Sequence, residues 1–112
     1  NQEEVRDLVQ TVVRKKEAEP HYEGETNGTR IRIPFDRILF VEQKGKKLWI
    51  HMDDGRELQV RGKLDDEEKR FPAEYFPRCH KSFLVNLAKI RGIDRELMTF
   101  VMEDGQHVHI HR

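Results

Sequence analysis

Cys79 is the only cysteine in the chain. No internal disulfide can form, and a reducing cytoplasm is the expected setting. No apolar run approaches the roughly 18 residues that a membrane span needs, and no basic-then-apolar signal segment opens the sequence. The first residue is Asn1 rather than Met, as in an excised or processed piece. Also missing are GxSxG, the P-loop and GxGxxG, and neither CxxC nor HExxH occurs. Cys79 and His80 are adjacent, but neighbours on a strand point to opposite faces, so adjacency does not make a Cys–His pair. Neither catalysis nor a cofactor is expected.

Net charge is absent as well: 21 Lys and Arg balance 21 Asp and Glu. That zero argues against a nucleic-acid partner only until the charges are located. Residues 1–28 hold seven acids against four bases, a balance of −3, which leaves 17 bases against 14 acids in residues 29–112. Local patches decide phosphate contact more than the total does. With 112 residues, 36% hydrophobic and 38% charged, the chain suits one domain with a thin core and a heavily solvated surface.

Along the chain, Val5, Leu8, Val9, Val12 and Val13 form one apolar helical stripe, with acids before and Arg14, Lys15 and Lys16 after. This predicts a helix over about 3–17, serving as a linker or, through its unpartnered stripe, as a dimerisation helix. Residues 18–29 carry Pro20, Gly24 and Gly28 and read as a flexible linker, so 1–28 is the expected connecting segment and 29–112 the domain. Alternation at Arg30–Ile33, the run Ile38–Val41, and Leu48, Ile50 and Met52 predict strands. Leu58 and Val60 return after the Asp53-Asp54-Gly55-Arg56 turn. Asp65 to Phe71, acids first and bases last, predicts a short helix that packs Leu64 and Phe71. Strands are expected at Ser82–Leu87, Leu97–Met102 and His107–His111, with Asp104-Gly105 turning between the last two. The fold class is mostly β.

The stretch Arg78-Cys79-His80-Lys81-Ser82-Phe83-Leu84-Val85-Asn86, with Phe76 two positions ahead, closely resembles the F-x-R-x-H-x-S-[FY]-[LIV]-V-N hallmark of LytTR domains. Ile38-Leu39-Phe40-Val41-Glu42 is similar to the family's opening strand, Ile90 and Ile93 follow as I-x-x-I, and Ile110-His111-Arg112 resembles its closing V-S-R. The resemblance covers roughly 29–112; His111 departs from the usual Ser, and members commonly continue beyond the position of Arg112. It implies an elongated stack of small antiparallel sheets with one short internal helix, touching DNA through loops at one edge. It also implies promoter direct repeats as the target, an upstream receiver domain on the full-length chain, and a homodimer on DNA as a further expectation.

Carried over residue by residue, the resemblance assigns base contacts to Lys46 or Lys47, Lys81 and Arg112. Lys44, Arg78 and Lys89 become candidates for phosphate contacts that set orientation. Arg can grip guanine O6 and N7 with two hydrogen bonds, whereas Lys is a point charge, so Arg112 is expected to carry the most sequence information. Plainer readings stand beside these. Lys44, Lys46 and Lys47 form a solvated hairpin tip in one. Arg78, His80, Ser82 and Asn86 tie loop backbone together in another. Cys79 reads as a small, partly buried filler, or as a redox switch if its thiol were activated. His107, His109 and His111 share one strand face and could meet a metal, but strand spacing makes them nearly collinear. A protein-interaction module is the remaining alternative, and the salt dependence of binding separates it from a DNA binder.

Overall fold

The computed structural model describes residues 20–110, which form three antiparallel sheets stacked along an axis of 62 Å. The helix expected over 3–17, His111 and Arg112 lie outside the described residues. Strands β1 (His21–Thr26) and β2 (Thr29–Pro34) make a hairpin. Strands β3 (Ile38–Lys44), β4 (Lys47–Met52), β5 (Glu57–Arg61) and β6 (Phe83–Val85) form the central sheet in the order β5-β4-β3-β6. Strands β7 (Ile90–Asp94), β8 (Thr99–Met102) and β9 (His107–His109) form the third. Among the described residues the one short α-helix, α1 (Leu64–Glu67), runs on into a 3-10 turn at Glu68–Arg70.

Burial explains the residue pattern of the central sheet. One face packs Val41, Leu48, Ile50, Val60 and Leu84 with Tyr22, Ile33, Leu64, Phe71 and Phe76 from the hairpin and helix side. The other sets Phe40, Phe83 and Val85 against Met102 and Val108 of the third sheet. Strands β3 and β6 are covered on both faces, so Ile38–Val41 and Phe83–Val85 are continuous apolar runs. On β5 the second face is solvated, and polar Glu57, Gln59 and Arg61 alternate with Leu58 and Val60.

The linker expected over 18–29 is corrected from His21 onward. Asn27 and Gly28 both have positive φ, 52° and 79°, the backbone of a tight hairpin turn. Tyr22 is 1% exposed and stacks on Phe71 with ring centroids 4.7 Å apart. Its ring crosses Gly24 so closely that a Cβ there would sit 2.6 Å from the tyrosine oxygen. A segment that seals a core in this way is part of the domain. Two smaller differences concern the third sheet. Leu97 and Met98 lie in the β7–β8 turn rather than a strand, because the Asp94 carboxylate accepts the Leu97 N–H at 3.0 Å and Met98 takes φ 54°. Ile90–Asp94 is a strand that its sequence pattern does not announce. Among the described residues no helix is long and apolar enough to cross a membrane.

Candidate nucleic-acid interface

Strand register places the basic residues. Lys44 faces Lys47 across the β3–β4 hairpin, with Gly45 and Lys46 forming its turn. Glu42 pairs with Phe83, and the Gln43 N–H donates to the Ser82 carbonyl at 2.8 Å. There the chain turns back: Lys81 and Ser82 form a tight turn closed by the Phe83 N–H, which donates to the His80 carbonyl at 3.1 Å, so Lys81 sits just past the Gln43–Ser82 contact. The structure thus brings Lys44, Lys46, Lys47 and Lys81 to one end of the central sheet, all exposed. Lys46, Lys47 and Lys81 make no ion pair among the described residues. Lys44 does: its Nζ is 3.7 Å from a Glu42 carboxylate oxygen and 4.9 Å from the Trp49 ring centroid.

A frame of hydrogen bonds holds these loops. Gln43 donates from Nε2 to the Gly45 carbonyl at 3.1 Å and accepts the Leu64 N–H on Oε1 at 2.8 Å. It therefore caps α1 from a neighbouring strand, where Lys63 at the helix start offers no side-chain acceptor. The Gly62 N–H adds a bond to the Lys46 carbonyl at 2.8 Å.

Arg78 is placed differently from a free phosphate-binding cation. Its Nη1 donates to Asp65 at 2.6 Å and lies 3.4 Å from Glu68, while Nη2 donates to the Lys81 carbonyl at 2.6 Å. The guanidinium buckles the Lys81 backbone to α1. His80 Nδ1 accepts the Ser82 N–H at 3.1 Å, which leaves the other ring nitrogen to carry the proton in the neutral form. Asn86 is 3% exposed, donates from Nδ2 to Ile38 O at 2.8 Å and Phe35 O at 3.2 Å, and accepts the Ala88 N–H at 3.0 Å. Ser82 takes part through its backbone N–H and carbonyl. Arg78, His80 and Asn86 join the loop to the sheet through their side chains, and Ser82 does so through its backbone.

Lys89 is not brought to this end. It closes the 3-10 turn Leu87–Lys89 that follows β6, and Glu103 donates its N–H to the Lys89 carbonyl at 3.0 Å, so it lies at the far end of β6 from Lys81. Cys79 is half-buried, its Sγ donates to the His109 carbonyl at 3.4 Å, and burial pushes its thiol pKa up to about 11. A thiol so raised is a poor nucleophile near neutral pH. His107 and His109 flank the buried Val108 on one face. His107 Nδ1 lies 2.7 Å from the Thr99 hydroxyl, and His109 sits beside His80 with ring centroids 6.1 Å apart. Among the described residues no three His, Cys, Asp or Glu side chains cluster as metal ligands would.

The LytTr DNA-binding domain family matches residues 28–112. The chain belongs to that family. A solved structure, the LytTr DNA-binding domain of a protein described as a putative methyl-accepting/DNA response regulator from Bacillus cereus, is similar at 26% identity with a TM-score of 0.67. The likeness covers 80% of this chain and 84% of that one. No curated protein is similar enough to match. LytTr domains are DNA-binding domains rather than a known enzyme family, and the mostly-β stack expected from the hallmark residues is the fold observed.

Proposed function

We propose that this LytTr domain binds double-stranded DNA sequence-specifically as the output domain of a bacterial two-component regulator, working in the cytoplasm. It reads paired direct repeats through loops at one edge of its central sheet. The observation that carries this reading is the charge pattern of that edge. Arg30, Arg32, Arg37, Arg56, Arg70 and Arg78 all pair with acids, whereas Lys46, Lys47 and Lys81 converge on one rim without such pairing. Cations left unpaired on a rigid rim are available to displace the counterions of a phosphate backbone.

In this reading Lys46 and Lys47, at the hairpin tip, and Lys81, beside the hallmark His80, reach toward base edges. Arg112 supplies the bidentate guanine contact, and Lys44 meets phosphate when it leaves Glu42. Arg78 sets the height of Lys81 rather than touching DNA itself, and Lys89 stands outside the contact. A receiver domain ahead of this one would connect through the segment before Pro20, and two copies would occupy the two repeats.

The test is selection of bound duplexes from a random pool by gel shift. Enrichment of a spaced direct repeat, with affinity that falls steeply as salt rises, is the expected result. Exposed Ile93, Leu97 and Met98 around the β7–β8 turn favour a protein contact as the rival reading. No enrichment, together with salt-insensitive capture of a protein partner, would decide for that rival.

A further inference from the structure

Resting on the DNA-binding reading, we infer that Arg61 and Lys63, at the outer end of β5, grip the phosphate wall of the groove opposite the wall that Lys44 meets. Register carries the first step. Arg61 pairs with Lys47, and Lys47 pairs with Lys44. Arg61, Lys47 and Lys44 therefore form a cross-strand row on one face at one end of the sheet. All three are exposed.

Width carries the second step. Two strand spacings of about 4.8 Å put roughly 10 Å between the first and last members of this row. A B-DNA major groove is about 12 Å wide. The two ends of the row therefore match the two phosphate walls, while the Gly45–Lys46 turn projects between them.

Rigidity carries the third. Lys63 follows Gly62, whose N–H holds the Lys46 carbonyl, and precedes Leu64, whose N–H is held by Gln43. The β3–β4 turn and the Arg61–Lys63 segment are thus one braced unit, and a duplex that meets Lys46 meets Lys63 as well. Neither Arg61 nor Lys63 has an ion-pair partner among the described residues, in contrast to the six arginines paired with acids. Asp66 is also exposed near this segment, and its carboxylate opposes phosphate, so two cations are needed where one would be offset.

The experiment measures binding of a fluorescein-labelled duplex of the selected sequence, and of a scrambled duplex, across a salt series. The proteins are the wild-type chain, the double variant Arg61→Ala/Lys63→Ala, and the charge-conserving pair Arg61→Lys/Lys63→Arg. Removing one phosphate-binding cation should flatten the plot of log affinity against log salt by about 0.9. The slope of the double alanine variant is expected to be shallower by about 1.8 on both duplexes, by the same rule, and the charge-conserving variant to keep the wild-type slope. A wild-type slope in the alanine variant, with the wild-type chain binding well, overturns this inference alone. Failure of the wild-type chain to bind either duplex at any salt overturns the DNA reading and this inference with it.

Discussion

Arg78 donates through Nη2 to the carbonyl of Lys81 while its Nη1 is held by Asp65, so a residue of the family hallmark fixes the loop that follows it to the start of α1. Its charge is already neutralised by neighbours, and its side chain is 25% exposed. Arg78→Ala is expected to lower stability by about 0.5–1.5 kcal/mol, since Asp65 and the Lys81 carbonyl are exposed and water replaces the lost donor. Because Arg78 is committed to Asp65 and Lys81 rather than to phosphate, the salt dependence of DNA affinity should keep its wild-type slope. A slope flattened by about 0.9 would show that Arg78 touches the backbone after all.

Asn86, itself 3% exposed, completes three hydrogen bonds, and two of them satisfy the carbonyls of Phe35, just ahead of β3, and of Ile38 at its start. Asn86→Ala removes all three at once. Urea denaturation should show a loss of about 2–3 kcal/mol, in line with the cost of unsatisfied buried groups. DNA binding at a temperature where the variant stays folded should be nearly unchanged. An unaltered denaturation midpoint would mean the Asn86 network is dispensable.

Tyr22 tests where the domain begins. Its ring stacks on Phe71 and is sealed by the close passage over Gly24. Truncating a buried aromatic typically costs about 3–5 kcal/mol, and Tyr22→Ala is expected to destabilise the whole domain within that range. Removing residues 1–28 should do the same, because it deletes β1. If the shortened chain melts like the full one, β1 is an accessory hairpin.

Why is Tyr22 hidden in the sequence while Asn86 is not? The hallmark around His80–Asn86 is dense in specific residue types, and the need to join loop, β3 and β6 explains most of them. Strand β1, in contrast, reads HYEGET, polar and glycine-bearing, with a single buried residue. Its clue is the Asn27-Gly28 pair, a strong hairpin signal that composition alone turns into a linker. Strand β7 is obscured for a related reason: Ile93 and Arg91 are exposed on a sheet edge, so alternation is weak. Lys46, Lys47 and Lys81 can be named from sequence, but their convergence cannot. It depends on the β3–β6 pairing, which joins residues about forty positions apart. Arg61 lacks any motif and becomes visible only through its register with Lys47.

Arg112 is the residue on which sequence readout rests in the proposed function. A bidentate arginine–guanine contact is worth about 1–3 kcal/mol of discrimination. Arg112→Ala should therefore weaken binding to the selected duplex by a factor of roughly 5–150, and binding to a scrambled duplex far less. Equal losses on the two duplexes would reduce Arg112 to a general electrostatic contact.

His51 makes the stability of the domain depend on pH. It is 5% exposed, stacks on Phe40 at 4.1 Å, and neither ring nitrogen has a hydrogen-bond partner among the described residues. Carboxylate oxygens of Glu57 and Glu42 stand 3.5 and 3.7 Å away. Burial lowers the His51 pKa, against the attraction of Glu57 and Glu42, with Lys44 adding slightly to the lowering. The unfolded chain, with its imidazole near the ordinary value of about 6.5, binds the proton more readily than the folded one. Stability is therefore full above that value and falls as pH drops through it, until the folded-state pKa is reached. Urea midpoints measured from neutral pH downward should decline in the wild-type chain and decline less in His51→Phe, which keeps the stack on Phe40 and cannot titrate. Parallel declines in the two proteins would assign the acid sensitivity to other groups, and a wild-type midpoint that rises on acidification would mean that Glu42 and Glu57 outweigh burial.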